Sequence, residues 1–201
     1  MTCVTWAVDN FLLPGQSTSG DHYAVCEISD GTLIGVVDGL GHGEGAAAAA
    51  RAATEVIEQN ATSDLVSLIR ACHAKLKSTR GAVMSLAFFN VRENKLSWIG
   101  VGNVEGVVLG FNGKKHSNAL LMRSGVVGQQ LPGLQVSTID VHPGDTLILT
   151  TDGIREGFLG SIHHNASPRE LAGQILSGHS KGSDDALVLV ARYEKKAEEQ
   201  R

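Results

Sequence analysis

Two short apolar runs separated by a turn lie early in the chain. Residues 22–28 and 32–37 are rich in apolar and β-branched side chains, and Ser29-Asp30-Gly31 between them is a turn signal. The pattern predicts two strands joined as a hairpin. Asp21 precedes the first run and Asp38 follows the second, so we expect the hairpin to carry both aspartates at the same end.

Helical periodicity follows the hairpin. Residues 43–60 contain a run of alanines from Ala46 to Ala50, and alanine is the best helix former. We predict a helix there, and its small side chains indicate close packing against a sheet. A second helix is predicted from Ser63 to about Lys77, because apolar side chains recur there at helical spacing. They are Leu65, Leu68, Ile69, Cys72 and Leu76, and Cys72 is accordingly expected in the core.

The rest of the chain is dominated by strand patterns. Predicted strands cover residues 82–91, 95–101, 104–109, 119–122, 136–141, 146–151 and 186–192. Turn sequences such as Asn112-Gly113 and Pro132-Gly133 lie in the short loops and favour antiparallel pairing. Ser167-Pro168-Arg169-Glu170 is a capping box with proline at the first helical position, so a helix should run to about Ser177. Helices grouped around antiparallel strands predict an α+β sandwich.

Composition favours one compact domain. A chain of 201 residues with 42% hydrophobic content can bury a single core, and we predict one domain over residues 1–194 followed by a charged tail over 195–201. The net charge is −4 and the basic residues are scattered, which argues against nucleic acid as a partner.

The expected compartment is the cytoplasm. No basic stretch leads an apolar segment at the start of the chain, and the apolar runs are too short to span a bilayer, so we expect no membrane partner. Cys3, Cys26 and Cys72 are odd in number and unpaired in spacing, which fits a reducing compartment.

Four aspartates stand beside glycine or a second aspartate at the edges of strand-like runs: Gly20-Asp21, Asp38-Gly39, Asp152-Gly153 and Asp184-Asp185. One such pair alone is explained by a turn. The runs before Asp38 and Asp152 are mostly apolar, however, as central strands are, and a solvent-exposed turn does not require that. Carboxylate and carbonyl oxygens without a Cys or His cluster suit Mg²⁺ or Mn²⁺ better than Zn²⁺. The pattern predicts a hard-metal site.

The order of these motifs resembles that of the metal-dependent protein serine/threonine phosphatases of the 2C type. Within that family the chain is most similar to the short bacterial sporulation and stress-response branch, and in particular to the members that reset the stressosome. The likeness runs from about Ser19 to Arg192 and is carried by Gly20-Asp21, Asp38-Gly39-Leu40-Gly41-His42-Gly43, Thr151-Asp152-Gly153 and Asp184-Asp185-Ala186. It implies two central, mainly antiparallel sheets flanked by helices, an α-β-β-α sandwich.

The resemblance also implies roles for these residues. It makes Asp38, Asp152 and Asp184 catalytic ligands of two Mn²⁺ or Mg²⁺ ions, with Asp38 bridging the two and the Gly39 carbonyl bound to one. Asp21 would bind metal directly or through water. Paired dications would neutralise the phosphate and supply hydroxide near neutral pH. The implied substrate is phosphoserine or phosphothreonine on a stress-signalling protein, such as a stressosome scaffold or sensor.

Three positions depart from the family pattern. Gly20 stands where many animal and plant members have an acidic residue, so we expect the second metal to bind weakly. Leu40 stands where those members have a histidine proposed as general acid, and His42 cannot take that role by alignment. Before Asp21 there is also no arginine to clamp the phosphate, as larger members have.

Two other functions are compatible with parts of the sequence. Gly41-His42-Gly43-Glu44-Gly45-Ala46 fits the loose glycine fingerprint of a dinucleotide-binding oxidoreductase. Asp38 just before that loop, and a second helix where a parallel strand is required, count against it. A pseudo-phosphatase binding module is the other alternative, which the intact aspartates disfavour. Specificity is expected in surface loops, at residues 116–133 or 158–168.

Several other residues are expected to be structural. His163-His164 is assigned to a surface loop, because adjacent residues seldom face one metal site together. Trp6 and Trp98 are predicted to lie in the core, since no basic patch accompanies them as it would in a stacking platform.

Overall fold

The computed structural model of the protein describes residues 3–111 and 122–194. Within them the chain forms ten strands, three α-helices and a 3₁₀ turn at Phe158–Gly160. The elements are, in chain order, β1 (Val4–Phe11), β2 (Asp21–Ile28), β3 (Gly31–Gly39), α1 (Glu44–Gln59), α2 (Leu65–Leu76), β4 (Ala82–Asn90), β5 (Lys95–Val101), β6 (Glu105–Leu109), β7 (Met122–Arg123), β8 (Ser137–Asp140), β9 (Thr146–Thr150), α3 (Pro168–His179) and β10 (Ala186–Tyr193).

The strands form two sheets. One has the order β1-β10-β9-β6, and the other has the order β2-β3-β4-β5-β7 with β8 also paired to β5. Among the described strands every pairing is antiparallel except that of β5 with β7. The prediction of mainly antiparallel sheets is therefore confirmed.

Three apolar clusters fill the spaces between the layers of the fold. Side chains from both sheets share the central cluster, in which Ile34 of β3 packs with Leu149 of β9 and Leu189 of β10. The helices α1 and α2 cover the outer face of the second sheet, and α3 covers the outer face of the first. This order of layers is the predicted α-β-β-α sandwich.

Strand β3 lies at the centre of the fold and shows the period of two expected of a strand buried on both faces. Ile34 and Val36 belong to the cluster between the sheets, whereas Leu33 and Val37 belong to the cluster under the helices. The apolar run before Asp38, which was predicted to form a central strand, therefore does so.

The alanine-rich helix α1 packs directly on β3, as its small side chains predict. A Cβ added at Gly39 would stand only 2.1 Å from the carbonyl oxygen of Ala46. Such an approach is possible only where glycine faces a short side chain and backbone. This close contact between Gly39 and Ala46 holds the start of α1 against the end of β3, next to Asp38.

Two features differ from the sequence predictions. Strand β1 was not predicted, because its apolar and polar residues do not alternate regularly and Asp9 and Asn10 lie within it. Trp6 was expected in the core but is 39% exposed on this edge strand, where its ring contacts Tyr23 at a centroid distance of 5.9 Å. Trp98 is only 1% exposed, so the prediction of a core position is correct for that tryptophan.

The remaining boundaries agree with the predictions to within about two residues. Most of the strand predicted at 119–122 lies outside the described residues, as do the turn at Asn112-Gly113 and the tail at 195–201. None of the helices within the described residues is long and apolar enough to cross a membrane.

Candidate metal centre

The β2–β3 hairpin brings two of the predicted aspartates together. Asp21 is the direct partner of Asp38 in the strand register, and the amide of Gly39 donates to the carbonyl of Gly20 over 3.0 Å. Asp21 is buried and Asp38 is half-buried. The prediction that both stand at the same end of the hairpin is confirmed.

The other two aspartates come from the neighbouring sheet. Asp152 follows the end of β9 by two residues, and Asp184 precedes the start of β10 by two residues. Because β9 and β10 are antiparallel neighbours, these two ends lie at the same edge of the sheet. Both aspartates are exposed.

One cleft between these strand ends receives all four carboxylates. Its lining residues are Gly20, Asp21, Asp38, Leu40, Gly41, Val83, Asn103, Asp152, Asp184 and Asp185. Gly39 does not line the cleft, although its carbonyl oxygen is 3.5 Å from the place that a Cβ on Gly20 would take. Among the described residues, no three carboxylate, imidazole or thiol side chains are already arranged as the ligand set of a single ion.

The electrostatics of the cleft favour a cation. Burial, together with the charges of the neighbouring aspartates, raises the pKa of Asp38 to about 8. Burial also raises the pKa of Asp21 to about 7, although a hydrogen bond from Thr151 opposes this effect. Carboxylates crowded into a partly dehydrated cleft repel one another, and a bound dication would relieve that repulsion. The donor set of oxygen atoms alone fits Mg²⁺ or Mn²⁺.

Thr151 connects the two halves of the cleft. Its hydroxyl donates to Oδ2 of Asp21 over 2.7 Å and accepts from the amide of Leu187 over 2.8 Å. The hydroxyl is thereby oriented by β10 and bonded to β2. Asp21 is held in place by the opposite sheet as well as by its own strand.

Asp185 is a second buried anchor, to which sequence reasoning gave no role. Its two carboxylate oxygens accept from the amides of Leu13 and Gly20 over 2.9 and 2.7 Å. Its own amide donates to Oδ1 of Asp184 over 2.9 Å. Asp185 thus fixes both the segment before Asp21 and the side chain of Asp184. The signal in the sequence was the aspartate doublet itself.

Asn103 and Lys181 also contact the site and were not predicted. Nδ2 of Asn103 donates to Oδ2 of Asp152 over 2.9 Å. The ammonium group of Lys181 donates to the backbone carbonyl of Asp152. Asn103 lies in the β5–β6 turn, where asparagine is common for conformational reasons, so the sequence carried no signal of its contact with Asp152.

The structure rules out the dinucleotide alternative. The glycine-rich loop does open α1, but the chain then continues through α2 into β4, which is antiparallel to β3. A dinucleotide-binding unit needs a parallel strand there. The predicted surface position of His163 and His164 is confirmed, and Leu40 lines the cleft while His42 does not.

Comparisons with known proteins agree with this architecture. The family model of stage II sporulation protein E, SpoIIE, matches residues 29–194. The phosphoserine phosphatase RsbX of Bacillus subtilis (strain 168) is 28% identical over 179 residues, which cover 89% of each protein.

Solved structures show the same fold. A structure described as the bacterial stressosome, a modular system adapted to control secondary messenger signalling, matches with a TM-score of 0.84 and 27% identity over 94% of this chain and 99% of that one. RsbX in complex with magnesium matches with a TM-score of 0.84 and 22% identity over 95% and 96% of the two chains. The catalytic domain of the serine/threonine phosphatase PstP with two manganese ions matches at 0.69 and 18% over 95% and 98%.

These matches confirm the resemblance and the fold class that the sequence predicted. A family model that spans residues 29–194 covers every strand and helix from β3 to β10, and with them three of the four predicted ligand aspartates, Asp38, Asp152 and Asp184. The chain belongs to the family of stage II sporulation protein E.

Proposed function

We propose that this chain is a metal-dependent protein phosphatase that hydrolyses phosphoserine or phosphothreonine on stress-signalling proteins. The observation that carries the proposal is the convergence of Asp21, Asp38, Asp152 and Asp184 in one cleft of a SpoIIE-family fold. The relative at 28% identity, RsbX, is itself a phosphoserine phosphatase.

The aspartates of the cleft would hold the metal. Asp38 lines the same cleft as Asp21 and the two aspartates from the other sheet. It is our candidate for the bridging ligand, with Asp152, Asp184, Asp21 and the Gly39 carbonyl as the others. When bound, Mg²⁺ or Mn²⁺ would neutralise the phosphate and lower the pKa of water, so that hydroxide is available as the nucleophile near neutral pH. Magnesium in the RsbX structure and two manganese ions in the PstP structure support this choice of cation.

The cleft offers few groups for proton transfer to the leaving group. Among the described residues that line it there is no histidine, lysine or cysteine. The position expected for a histidine is Leu40. We therefore assign the chain's own contribution to binding and orientation of ions and phosphate, with no side-chain general acid of these types.

The proposed metal sites are unequal, because Gly20 contributes no carboxylate. One ion would be held by Asp38, Asp152 and Asp184, and the other by Asp38, the Gly39 carbonyl and Asp21. Fewer anionic oxygens bind a hard cation more weakly. We expect calorimetric titration with Mn²⁺ to resolve a tight and a weak site, with turnover following the weak one. Two equal sites would contradict this.

Because an acidic residue stands at this position in many family members, Gly20→Glu would add a carboxylate beside the proposed weak site, but the fold opposes this substitution. A Cβ at Gly20 would stand 3.1 Å from the Cβ of buried Ala46. The added side chain therefore has to displace the start of α1 before it can reach an ion, so we expect its effect on Mn²⁺ affinity to be offset by strain.

The partners we propose are phosphorylated scaffold or sensor proteins of a stressosome in the cytoplasm. The likeness to RsbX and to the stressosome structure supports this choice. The test is incubation of the protein with phosphorylated regulatory proteins from its own genome neighbourhood, with Mn²⁺ and with EDTA, followed by measurement of released phosphate. Release that requires Mn²⁺ is expected. Full activity in EDTA would contradict the proposed metal dependence. Binding of the phosphorylated proteins without release of phosphate would favour the pseudo-phosphatase alternative.

A further inference from the structure

Arg80 places a positive charge at the rim of the acidic cleft. It lies in the connection between α2 and β4, and its side chain is exposed. Within residues 3–111 and 122–194, no aspartate or glutamate pairs with it. By contrast, Arg51 pairs with Glu44 over 3.6 Å. The guanidinium of Arg80 therefore remains available for an anion.

The backbone of Arg80 is fixed on both sides. The amide of Leu40 donates to the carbonyl of the next residue, Gly81, over 3.1 Å, which ties this segment to the cleft wall. Nε2 of Gln129 donates to the carbonyl of Arg80 over 2.5 Å. Ala82 exchanges two backbone hydrogen bonds with Val127. Residues 126–129, part of a loop in which specificity was expected, thus anchor the arginine.

The guanidinium lies along the glycine-rich loop that opens α1. Nη1 is 3.1 Å from the place of a Cβ on Gly41, and Nε is 2.7 Å from the place of a Cβ on Gly45. Nη1 is also 3.5 Å from the carbonyl oxygen of His42. Gly41 lines the cleft. The lack of side chains at Gly41 and Gly45 is what lets the guanidinium rest against the wall of the cleft.

A phosphate dianion that approaches five aspartates needs a cation besides the metal. Lys181 is also a basic residue near the site, but its ammonium group is bonded to the carbonyl of Asp152. Arginine has a planar fork of donors that matches phosphate oxygens. We propose that Arg80 binds the phosphate group of the substrate and so determines specificity for phosphomonoesters. This inference rests on the proposed function.

The test separates substrate binding from turnover. We expect Arg80→Gln to raise KM for p-nitrophenyl phosphate about tenfold at saturating Mn²⁺, and to weaken inhibition by inorganic phosphate by a similar factor, with little change in kcat. Arg80→Lys should recover part of the loss. Arg70→Gln, which alters an exposed arginine on α2, is the matched control and should leave KM unchanged.

Gly45→Ala tests the same contact without removal of the charge. The new methyl group would displace the end of the Arg80 side chain, and alanine is well tolerated in a helix. We expect KM to rise about threefold, less than in Arg80→Gln, because the displaced cation still attracts phosphate.

Two results would overturn the role of Arg80. One is an unchanged KM and unchanged phosphate inhibition in Arg80→Gln. The other is a KM increase accompanied by an equal loss of Mn²⁺ affinity in calorimetry. That result would mean that Arg80 acts by stabilising the glycine-rich loop beside the metal site and does not bind phosphate. If the wild-type protein has no turnover, the proposed function fails. Calorimetry of inorganic phosphate with Mg²⁺-loaded wild type and Arg80→Gln then still decides whether Arg80 binds phosphate.

Discussion

The two halves of the cleft are built in different ways. Asp21 and Asp38 face each other across the β2–β3 ladder, where the strand register and burial fix their positions. Asp152 and Asp184 are exposed residues just beyond the ends of β9 and β10. Their orientation depends on hydrogen bonds, from Asn103 to Asp152 and from the Asp185 amide to Asp184.

The two halves also differ in how unfavourable it is to charge their carboxylates. Burial raises the pKa of both hairpin aspartates, so the hairpin half carries unfavourable charge that a cation would relieve. The other half is close to water and depends on neighbouring polar groups for its geometry. The hairpin half should therefore respond most strongly to loss of charge, and the exposed half to loss of its hydrogen-bonding partners.

The largest expected effect is the loss of turnover in Asp38→Asn. Removal of the Asp38 carboxylate should lower kcat for p-nitrophenyl phosphate by about 10³-fold at saturating Mn²⁺, because the charge of the proposed bridging ligand is lost. Asp140→Asn, an exposed aspartate on β8, is the control and should behave as wild type. Near-normal turnover in Asp38→Asn would show that the ligand assignment is wrong.

The next effect concerns stability in EDTA and its dependence on pH. The folded-state pKa of Asp21 and Asp38, about 7 and about 8, lies above the ordinary value of 3.8, so the folded protein binds more protons than the unfolded chain between these limits. The free energy of unfolding should therefore fall as pH rises from about 4 to about 8.

Urea denaturation at pH 5, 7 and 9 measures this slope. Asp38→Asn removes one of the two groups, so the slope should flatten and the variant should be more stable than wild type at pH 9 by on the order of 2 kcal/mol. If the wild-type protein were as stable at pH 9 as at pH 5 and did not differ from Asp38→Asn, burial would not raise the pKa of these two carboxyl groups as described.

A smaller effect is expected from Asn103→Ala in the exposed half. Without the amide, Asp152 loses the donor that orients it, and Mn²⁺ affinity should fall about tenfold in calorimetry. Asn165→Ala, an exposed asparagine in the loop before α3, is the control. Unchanged Mn²⁺ affinity in Asn103→Ala would mean that Asp152 is oriented without it.

The smallest effect is expected from Thr151→Val, which keeps the shape and removes the hydroxyl. The amide of Leu187 and the carboxylate of Asp21 each lose a partner, so the free energy of unfolding should fall by about 1 kcal/mol at neutral pH. The control is Thr5→Val at an exposed position of β1. Equal stability of the two variants would mean that the hydrogen bonds of the Thr151 hydroxyl do not stabilise the contact between the sheets.

Local pattern was sufficient for most of the fold. The apolar runs around β3 and β9, the alanines of α1 and the capping box of α3 each encode one element through short-range chemistry, and each formed where it was predicted. Strand β1 was missed because it is an edge strand with one weakly apolar face. For the same reason, Trp6 is partly exposed.

The residues that could bind a hard cation were identifiable from local sequence, because an aspartate beside glycine at the end of an apolar run is a local signal. The groups that surround these aspartates became visible in the folded chain. Asn103, Thr151 and Arg80 reach the cleft from three separate turns or strand ends. Such contacts depend on how two sheets and a helix pack, and packing joins residues far apart in the chain that share no local pattern.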